Sequence, residues 1–224
     1  MKYESELQTA LQAASLAIFF TTPVRAEDAA NASKKPAPYS KQALQSRIDY
    51  CQTCHGLSGE GVSGGARPVP RLAGQQIKYL ENQLGNFIVH RRQDAAMSNV
   101  VHDMSPALVS ALAAYYNGLN PKPLGGAPKE LVAAGKEIYE GGVASANVPA
   151  CATCHGPDAK GNGAFPRLAG QIHTYISMKL TNWDKERGQD PTVPDKSANV
   201  MQPVAHNLTE AQIAAIAAYL SYLE

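Results

Sequence analysis

The chain has 224 residues, with 20 Lys and Arg against 19 Asp and Glu, which gives a formal net charge of +1 at pH 7. This length fits one large domain or two small domains of about 100 residues each. The near-neutral charge offers no basic excess of the kind that binds nucleic acid. All 4 cysteines lie in two short motifs, so the sequence leaves none for a structural disulfide, a free nucleophile or a thiolate ligand.

Residues 1–26 have the features of an export signal. A short apolar run from Leu11 to Phe20 is followed by Val24-Arg25-Ala26, which places small residues before a cleavage point at Glu27. The run is too short to span a bilayer. Two acidic residues near the start are atypical of a signal, and a tail without fixed structure is the alternative. Residues 27–39, rich in Ala, Lys and Pro, predict a flexible leader.

The first predicted helix begins after Ser40, a favourable N-cap, and leads into the first of two Cys-x-x-Cys-His motifs. In such a motif the two thiols add to the two vinyl groups of one haem, and the adjacent histidine supplies an imidazole to the iron. The motifs consist of Cys51, Cys54 and His55 in the first half and Cys151, Cys154 and His155 in the second. The duplication predicts two covalently bound c-type haems.

Zinc binding and thiol redox chemistry are the alternative uses of paired cysteines. The pairs of a zinc ribbon usually lie about 15 to 20 residues apart, whereas Cys54 and Cys151 are separated by nearly the length of a domain. Neither alternative requires a histidine after both pairs. Haem attachment therefore accounts for more of the pattern than either alternative does.

Beyond the first motif, the Gly-rich stretch 57–65 predicts a loop. Apolar residues at helical spacing then predict an amphipathic helix that ends around Arg91. Residues 91–97 show little periodicity and predict a connection that carries Met97. Ser105, an N-cap followed by a proline at the first helical position, predicts the next helix.

The second half repeats this order, which predicts two domains, 40–119 and 129–224, joined by a Pro- and Gly-rich linker at 120–128. An amphipathic stripe that ends at Trp183 follows the second motif, and Thr209 opens the last helix with a capping box. No segment shows the alternation that is typical of β-strands. The predicted fold class is therefore all-α.

Two further segments recur in both halves. The hexapeptide Pro-Arg-Leu-Ala-Gly-Gln occupies residues 70–75 and again 166–171, an offset of 96 positions, compared with 100 for the haem motifs. The segment Arg187-Gly188-Gln189-Asp190 matches Arg91-Arg92-Gln93-Asp94. Because the offset changes only in loops, the chain has the pattern of a duplicated domain.

The sixth ligand of each iron has several candidates. They are Met97, Met104, His90 and His102 in the first half, and Met178, Met201, His173 and His206 in the second. An offset of 104 pairs Met97 with Met201 and also pairs His102 with His206, whereas Met104 and Met178 have no methionine counterpart. We expect the methionine pair, which would raise the potential of both haems, and ligation by two histidines is the alternative.

Together these motifs resemble the dihaem cytochrome c4 family, from about Ser40 to the C-terminus. The features that carry the resemblance are the two Cys-x-x-Cys-His-Gly motifs, the repeated hexapeptide, the paired methionines and the closing helices of both halves. The resemblance implies two tandem class I cytochrome c domains related by a pseudo-two-fold axis, with the propionate edges of the haems facing each other.

The resemblance also implies haem contacts from the hexapeptide. These residues are Pro70 and Pro166, Leu72 and Leu168, and Arg71 and Arg167. The proline carbonyls would accept the Nδ1 hydrogen of each ligating histidine, and the leucines would pack on the haems. The arginines are candidates for pairing with haem propionates, and solvated arginines are the alternative.

The expected function is electron transfer in the periplasm, from a quinol-oxidising complex or a dehydrogenase to a terminal oxidase. A loose association with the membrane is compatible with this role. Six-coordinate irons leave no open position for a substrate, so we expect no enzymatic activity. A dihaem peroxidase or thiosulfate dehydrogenase would need a displaceable ligand or a spare cysteine. The main alternative is the cytochrome subunit of a sulfide- or thiosulfate-oxidising complex, which the sequence does not separate from a free carrier.

Overall fold

The computed structural model describes residues 39–64, 67–187 and 196–224, without the side chains of 196–199. Over these ranges the chain forms helices and isolated β-bridges and contains no β-strand, which confirms the predicted all-α class. The predicted export signal and almost all of the leader lie outside the described residues. Within the described part of the chain, no helix has the length and apolar character needed to cross a membrane.

Four helices form the described part of the first half, residues 40–64 and 67–119. They are α1 (Lys41–His55), α2 (Ile77–Ile88), α3 (Ala95–Val101) and α4 (Pro106–Asn117). The side chain of Ser40 accepts a hydrogen bond from the Ala43 amide at 3.0 Å, and that of Ser105 accepts one from Leu108 at 3.3 Å. Both predicted N-caps are therefore confirmed.

Two predictions about the first half were wrong. Helix α2 ends at Ile88 rather than around Arg91, because His90 adopts a left-handed backbone conformation with φ of 56°. Met97 does not lie in an irregular connection but in the first turn of α3. That helix forms because the Asp94 carboxylate accepts a hydrogen bond from the Met97 amide at 3.1 Å and so caps it.

The second half contains six α-helices and two short 3₁₀ turns among its described residues. The turns are Lys129–Leu131 and Ala144–Ala146, and the helices are α5 (Val132–Gly141), α6 (Ala152–His155), α7 (His173–Thr181), α8 (Trp183–Glu186), α9 (Lys196–Asn207) and α10 (Glu210–Tyr222). The capping box of Thr209 and Gln212 is present. The amphipathic helix predicted to end at Trp183 is instead divided into α7 and α8 at Asn182. The side-chain amide of Asn182 donates to the Met178 carbonyl at 3.0 Å.

Each half has its own buried core. In the first half Leu80, Val101 and Leu112 pack together, and in the second half the packing of α5 against α10 dominates. This second contact is close because Gly135 on α5 has no side chain: a Cβ at that position would lie 2.0 Å from the Ala215 carbonyl oxygen. The haem motifs at the ends of α1 and α6 are thus each attached to a packed helical unit.

The two halves meet at a buried polar cluster. Gln83 Oε1 accepts hydrogen bonds from Arg92 Nη1 and from Arg187 Nη2, each at 2.8 Å, and Arg92 Nη2 donates to the Tyr175 hydroxyl at 2.8 Å. Both arginines are buried. The sequence comparison paired Arg187 with Arg91, but Arg91 is exposed and its neighbour Arg92 is the buried counterpart.

Candidate haem sites

Both motif histidines lie at the same place in their halves. His55 is the last residue of α1 and His155 is the last residue of α6, and the glycine that follows each one ends the helix with a positive φ. Both imidazoles are buried. His55 Nδ1 lies 2.9 Å from the Pro70 carbonyl oxygen, and His155 Nδ1 lies 3.0 Å from that of Pro166.

These contacts determine which nitrogen of each imidazole carries the hydrogen. A carbonyl can only accept a hydrogen bond, so Nδ1 carries the hydrogen and Nε2 keeps its lone pair in the neutral ring. Burial lowers the pKa of both His55 and His155 and so favours this neutral form. Nε2 of His155 is buried and makes no hydrogen bond to the protein. An unpaired, inward Nε2 with a fixed Nδ1 suits a ligand to haem iron.

The four cysteines are placed where the two motifs predict. Cys51 and Cys151 are partly buried and pack against the cores of their respective halves. Burial raises the pKa of both thiols. Cys54 is exposed and Cys154 is partly buried. Each motif therefore places one thiol against the core of its half and close in sequence to a buried imidazole, which suits attachment of a haem.

The arginines of the two hexapeptides are buried rather than solvated. Nε of Arg71 donates to the Ala73 carbonyl, and Nε of Arg167 donates to the Ala169 carbonyl, each at 3.0 Å. Burial lowers the pKa of both groups, and the nearby Arg167 helps to lower that of Arg71 to about 10. One guanidinium nitrogen of each, Nη1 of Arg71 and Nη2 of Arg167, is buried without a hydrogen-bond partner in the protein. Such donors suit a carboxylate, the group that a haem propionate provides.

Leu72 and Leu168, the leucines of the hexapeptides, are partly buried and pack against the cores of their halves. Met97 is also partly buried and packs against the same core as Cys51 and Leu72. The structure thus brings the candidate ligand of the first half to the core that carries its haem motif. Met201 is partly buried on α9.

Three of the rival sixth ligands are two exposed histidines and one core methionine. His102 is exposed, and its Nδ1 lies 2.8 Å from the Asn99 carbonyl oxygen. His206 is also exposed, and its Nε2 pairs with the Asp184 carboxylate. Met104 is buried in the core of the first half, as an ordinary apolar residue would be.

Sequence reasoning missed the role of the glutamine that ends each hexapeptide. Gln171 reaches across the interface to Arg71: its Oε1 accepts from the Arg71 amide at 2.8 Å and its Nε2 donates to the Arg71 carbonyl at 3.0 Å. Gln75 makes the same two bonds to Arg167, at 2.7 and 3.0 Å. Repetition of the glutamine was visible in the sequence, but its partner in the other half was not.

Comparison with known proteins agrees with this arrangement. The cytochrome c family model matches the chain twice, over residues 29–120 and 132–224. A thiosulfate dehydrogenase electron acceptor of Thiomonas intermedia is 38% identical over 189 residues, which cover 83% of each chain. Cytochrome c4 of Azotobacter vinelandii is 31% identical over 192 residues, 81% of this chain and 88% of the relative. The crystal structure of reduced cytochrome c4 from Pseudomonas stutzeri aligns with a TM-score of 0.70 at 28% identity, over 83% of this chain and 99% of that chain.

The matches span both halves, and each half holds one complete haem motif. The chain therefore carries two covalently attached c-type haems, one at Cys51 and Cys54 and the other at Cys151 and Cys154. Its role is the transfer of electrons to and from redox partners. The chain belongs to the cytochrome c family and, within it, to the dihaem cytochromes c4.

Proposed function

We propose that this dihaem cytochrome carries electrons in the periplasm from a quinol-oxidising complex or a dehydrogenase to a terminal oxidase, and that it catalyses no reaction of its own. The observation that carries the proposal is the equivalence of the two sites across one interface. Each half holds a buried histidine bonded to a proline carbonyl, and the two hexapeptides that supply these carbonyls contact each other. This arrangement of two equivalent sites at one interface suits the transfer of electrons between two haems within one molecule.

The proposed iron ligands are His55 with Met97 and His155 with Met201. The rings of His55 and His155 are buried and held by a backbone carbonyl, whereas the competing imidazoles of His102 and His206 are exposed. When bound, each haem supplies a one-electron couple, and methionine as the second ligand keeps its potential high. With both axial positions filled, no site remains for a substrate.

Other residues of the chain orient this pair of sites. The carbonyls of Pro70 and Pro166 hold the imidazoles, and the unpaired nitrogens of Arg71 and Arg167 are the donors available to the propionates. Burial of these charged donors in the interface favours a permanent partner of opposite sign, since an unpaired buried charge is costly.

An optical redox titration of the purified holoprotein tests the proposal. We expect two one-electron steps at positive potential and the near-infrared sulfur-to-iron band in the oxidised form. Met97→Ala and Met201→Ala should each remove half of this band, and the core variant Met104→Leu, as the control, should leave it intact. An unaltered band in either alanine variant would refute the ligand for that haem, and a high-spin haem that reacts with peroxide would revive the enzymatic interpretation.

A second candidate is the electron-accepting partner of a thiosulfate-oxidising enzyme, which the 38% identity to a thiosulfate dehydrogenase electron acceptor favours. Purification from native cells separates the two possibilities. A free carrier should elute alone at the size of a single chain, whereas a subunit of an enzyme complex should elute with a flavoprotein or a catalytic cytochrome. Reduction of the protein by thiosulfate in the co-purified fraction, and not in the isolated chain, would support the second candidate.

A further inference from the structure

One peptide group in each half links the motif histidine to a glutamine of the opposite half. The carbonyl of Pro70 accepts the hydrogen bond of His55 Nδ1 at 2.9 Å. The N–H of the same peptide group, which belongs to Arg71, donates to Gln171 Oε1 at 2.8 Å. The result is a continuous hydrogen-bonded path from the imidazole through one peptide group to a side chain of the other half.

The second half contains the equivalent path, which runs in the opposite direction across the interface. His155 Nδ1 lies 3.0 Å from the Pro166 carbonyl oxygen, and the Arg167 amide of the same peptide group donates to Gln75 Oε1 at 2.7 Å. Because both paths cross the interface, each histidine is connected to the half to which it does not belong.

The orientation of each carboxamide is fixed by its contacts. Gln171 Oε1 also accepts from the Ile172 amide at 3.0 Å, and its Nε2 donates to the Arg71 carbonyl. Gln75 Oε1 likewise accepts from the Gln76 amide at 2.9 Å. A flipped carboxamide would face two backbone N–H groups with its own NH₂, so the oxygen must point to the peptide group. Both glutamines are buried, where hydrogen bonds are little weakened by water.

A peptide group transmits polarisation because its N–H and C=O share one resonance system. An acceptor on the N–H side shifts electron density toward the carbonyl oxygen, and hydrogen bonds in such a chain strengthen one another. A stronger acceptor at Nδ1 raises the basicity of the imidazole as a metal ligand. More electron density on the histidine stabilises the oxidised iron and lowers the potential of its haem.

We propose that Gln171 is a positioning residue for His55 and that Gln75 is one for His155, so that each half adjusts the potential of the haem bound by the other half. This inference rests on the proposed role of the two histidines as iron ligands. It requires no contact between either glutamine and a haem, since the effect passes through the Pro–Arg peptide group.

The test is a pair of near-isosteric variants, Gln171→Met and Gln75→Met, in the holoprotein. Midpoint potentials are measured by spectroelectrochemistry and assigned to each haem by the paramagnetically shifted proton resonances of its methyl groups. Gln171→Met should raise the potential of the haem at His55, and Gln75→Met that of the haem at His155. The expected change in the reduction equilibrium is about threefold, or about 28 mV at 59 mV per tenfold change for one electron.

Gln76→Met is the matched control. The Gln76 side chain also crosses the interface, to the carbonyls of Lys160 at 2.9 Å and Gly161 at 3.3 Å, but it does not contact a Pro–Arg peptide group. It should leave both potentials unchanged.

The inference is supported only if each variant shifts the potential of the haem in the opposite half. Equal shifts at both haems, a shift confined to the haem of the mutated half, or no shift in variants that keep their low-spin spectra would overturn it. Failure of histidine ligation, on which the inference rests, is distinguishable, because the wild-type protein would then lack low-spin haem spectra altogether.

Discussion

Gln83 and Arg187 belong to opposite halves of the chain, and the side-chain oxygen of Gln83 accepts a hydrogen bond from Arg187 Nη2 at 2.8 Å. The same oxygen accepts from Arg92 Nη1, so one neutral acceptor is shared by two buried groups of like charge. Each guanidinium also lies over an aromatic ring, Arg92 at 4.7 Å from the centroid of Phe87 and Arg187 at 4.8 Å from that of Trp183. The charged part of the contact between the halves therefore depends on one carboxamide.

Gln83→Leu should lower the free energy of unfolding of the holoprotein by about 3 kcal/mol, because it removes the shared acceptor and leaves buried charged donors without it. Urea unfolding followed by far-ultraviolet circular dichroism measures the change. Gln45→Leu is the control, since Gln45 is exposed and bonds only to Asp49 on the surface of α1. It should cost less than about 0.5 kcal/mol, and equal losses in the two variants would contradict the assigned importance of Gln83.

Gly135→Ala should destabilise the second half by at least about 2 kcal/mol. The new methyl group would lie 2.0 Å from the Ala215 carbonyl oxygen, so α5 and α10 would have to move apart. Gly141→Ala, on the same helix, meets no atom within 4 Å and should be neutral or stabilising by up to about 1 kcal/mol. Thermal unfolding of both variants tests the pair, and a loss of stability in Gly141→Ala of similar size would refute the packing explanation.

Asp94→Ala should loosen the ligation of the haem in the first half. Asp94 caps α3 through the amide of Met97 itself, so loss of the cap frees the backbone that positions the sulfur. We expect the near-infrared sulfur-to-iron band of this haem to disappear at a lower temperature than in the wild type. Thr209→Ala removes a similar cap, worth about 1 kcal/mol, from α10 and should leave the band unchanged. An identical response of the two variants would show that the effect is general.

Arg71→Leu should lower the potential of the haem whose propionate pairs with Arg71. The reduced haem carries one positive charge less than the oxidised haem, so a nearby cation stabilises the reduced form. The expected change in the reduction equilibrium is about threefold to tenfold, the scale of one unit charge in a partly buried site. Arg91→Leu removes an exposed arginine of the same half and should have little effect at moderate ionic strength. Spectroelectrochemical titration of both variants measures the difference, and a rise or no change in Arg71→Leu would contradict propionate pairing.

Local signals in the sequence predicted much of the fold. Ser40, Ser105 and Thr209 act on amides only three residues away, so their caps follow from the sequence alone. The haem motif and the hexapeptide also bond within one half, as the contact between His55 and Pro70 shows. Asp94 is an N-cap of the same kind for α3, but α3 was not predicted because the residues around Met97 lack apolar periodicity.

Contacts between the halves could not be predicted in this way. The burial of Arg92 rather than Arg91 depends on where the chain turns after α2, and that turn is set by the left-handed conformation of His90. Gln75 and Gln171 are polar residues at the end of a loop segment, and only the docking of the second half shows that each has a backbone partner there. Tertiary partners of this kind leave no periodic trace in the sequence.

The reciprocal bonds of Gln75 and Gln171 make the interface self-complementary, since the same surface serves both sides as in a symmetric homodimer. A single-haem chain with this hexapeptide would already hold the polar groups needed to pair with a second copy of itself. Residues 120–128 join the two halves and so raise the effective concentration of one half around the other. The segment also contacts both halves, because the Pro121 carbonyl accepts from Arg71 Nη2 at 2.8 Å and the Ala127 carbonyl accepts from the Tyr222 hydroxyl at 2.5 Å. Cleavage within that segment should therefore leave the halves associated in size-exclusion chromatography at high protein concentration and release them on dilution.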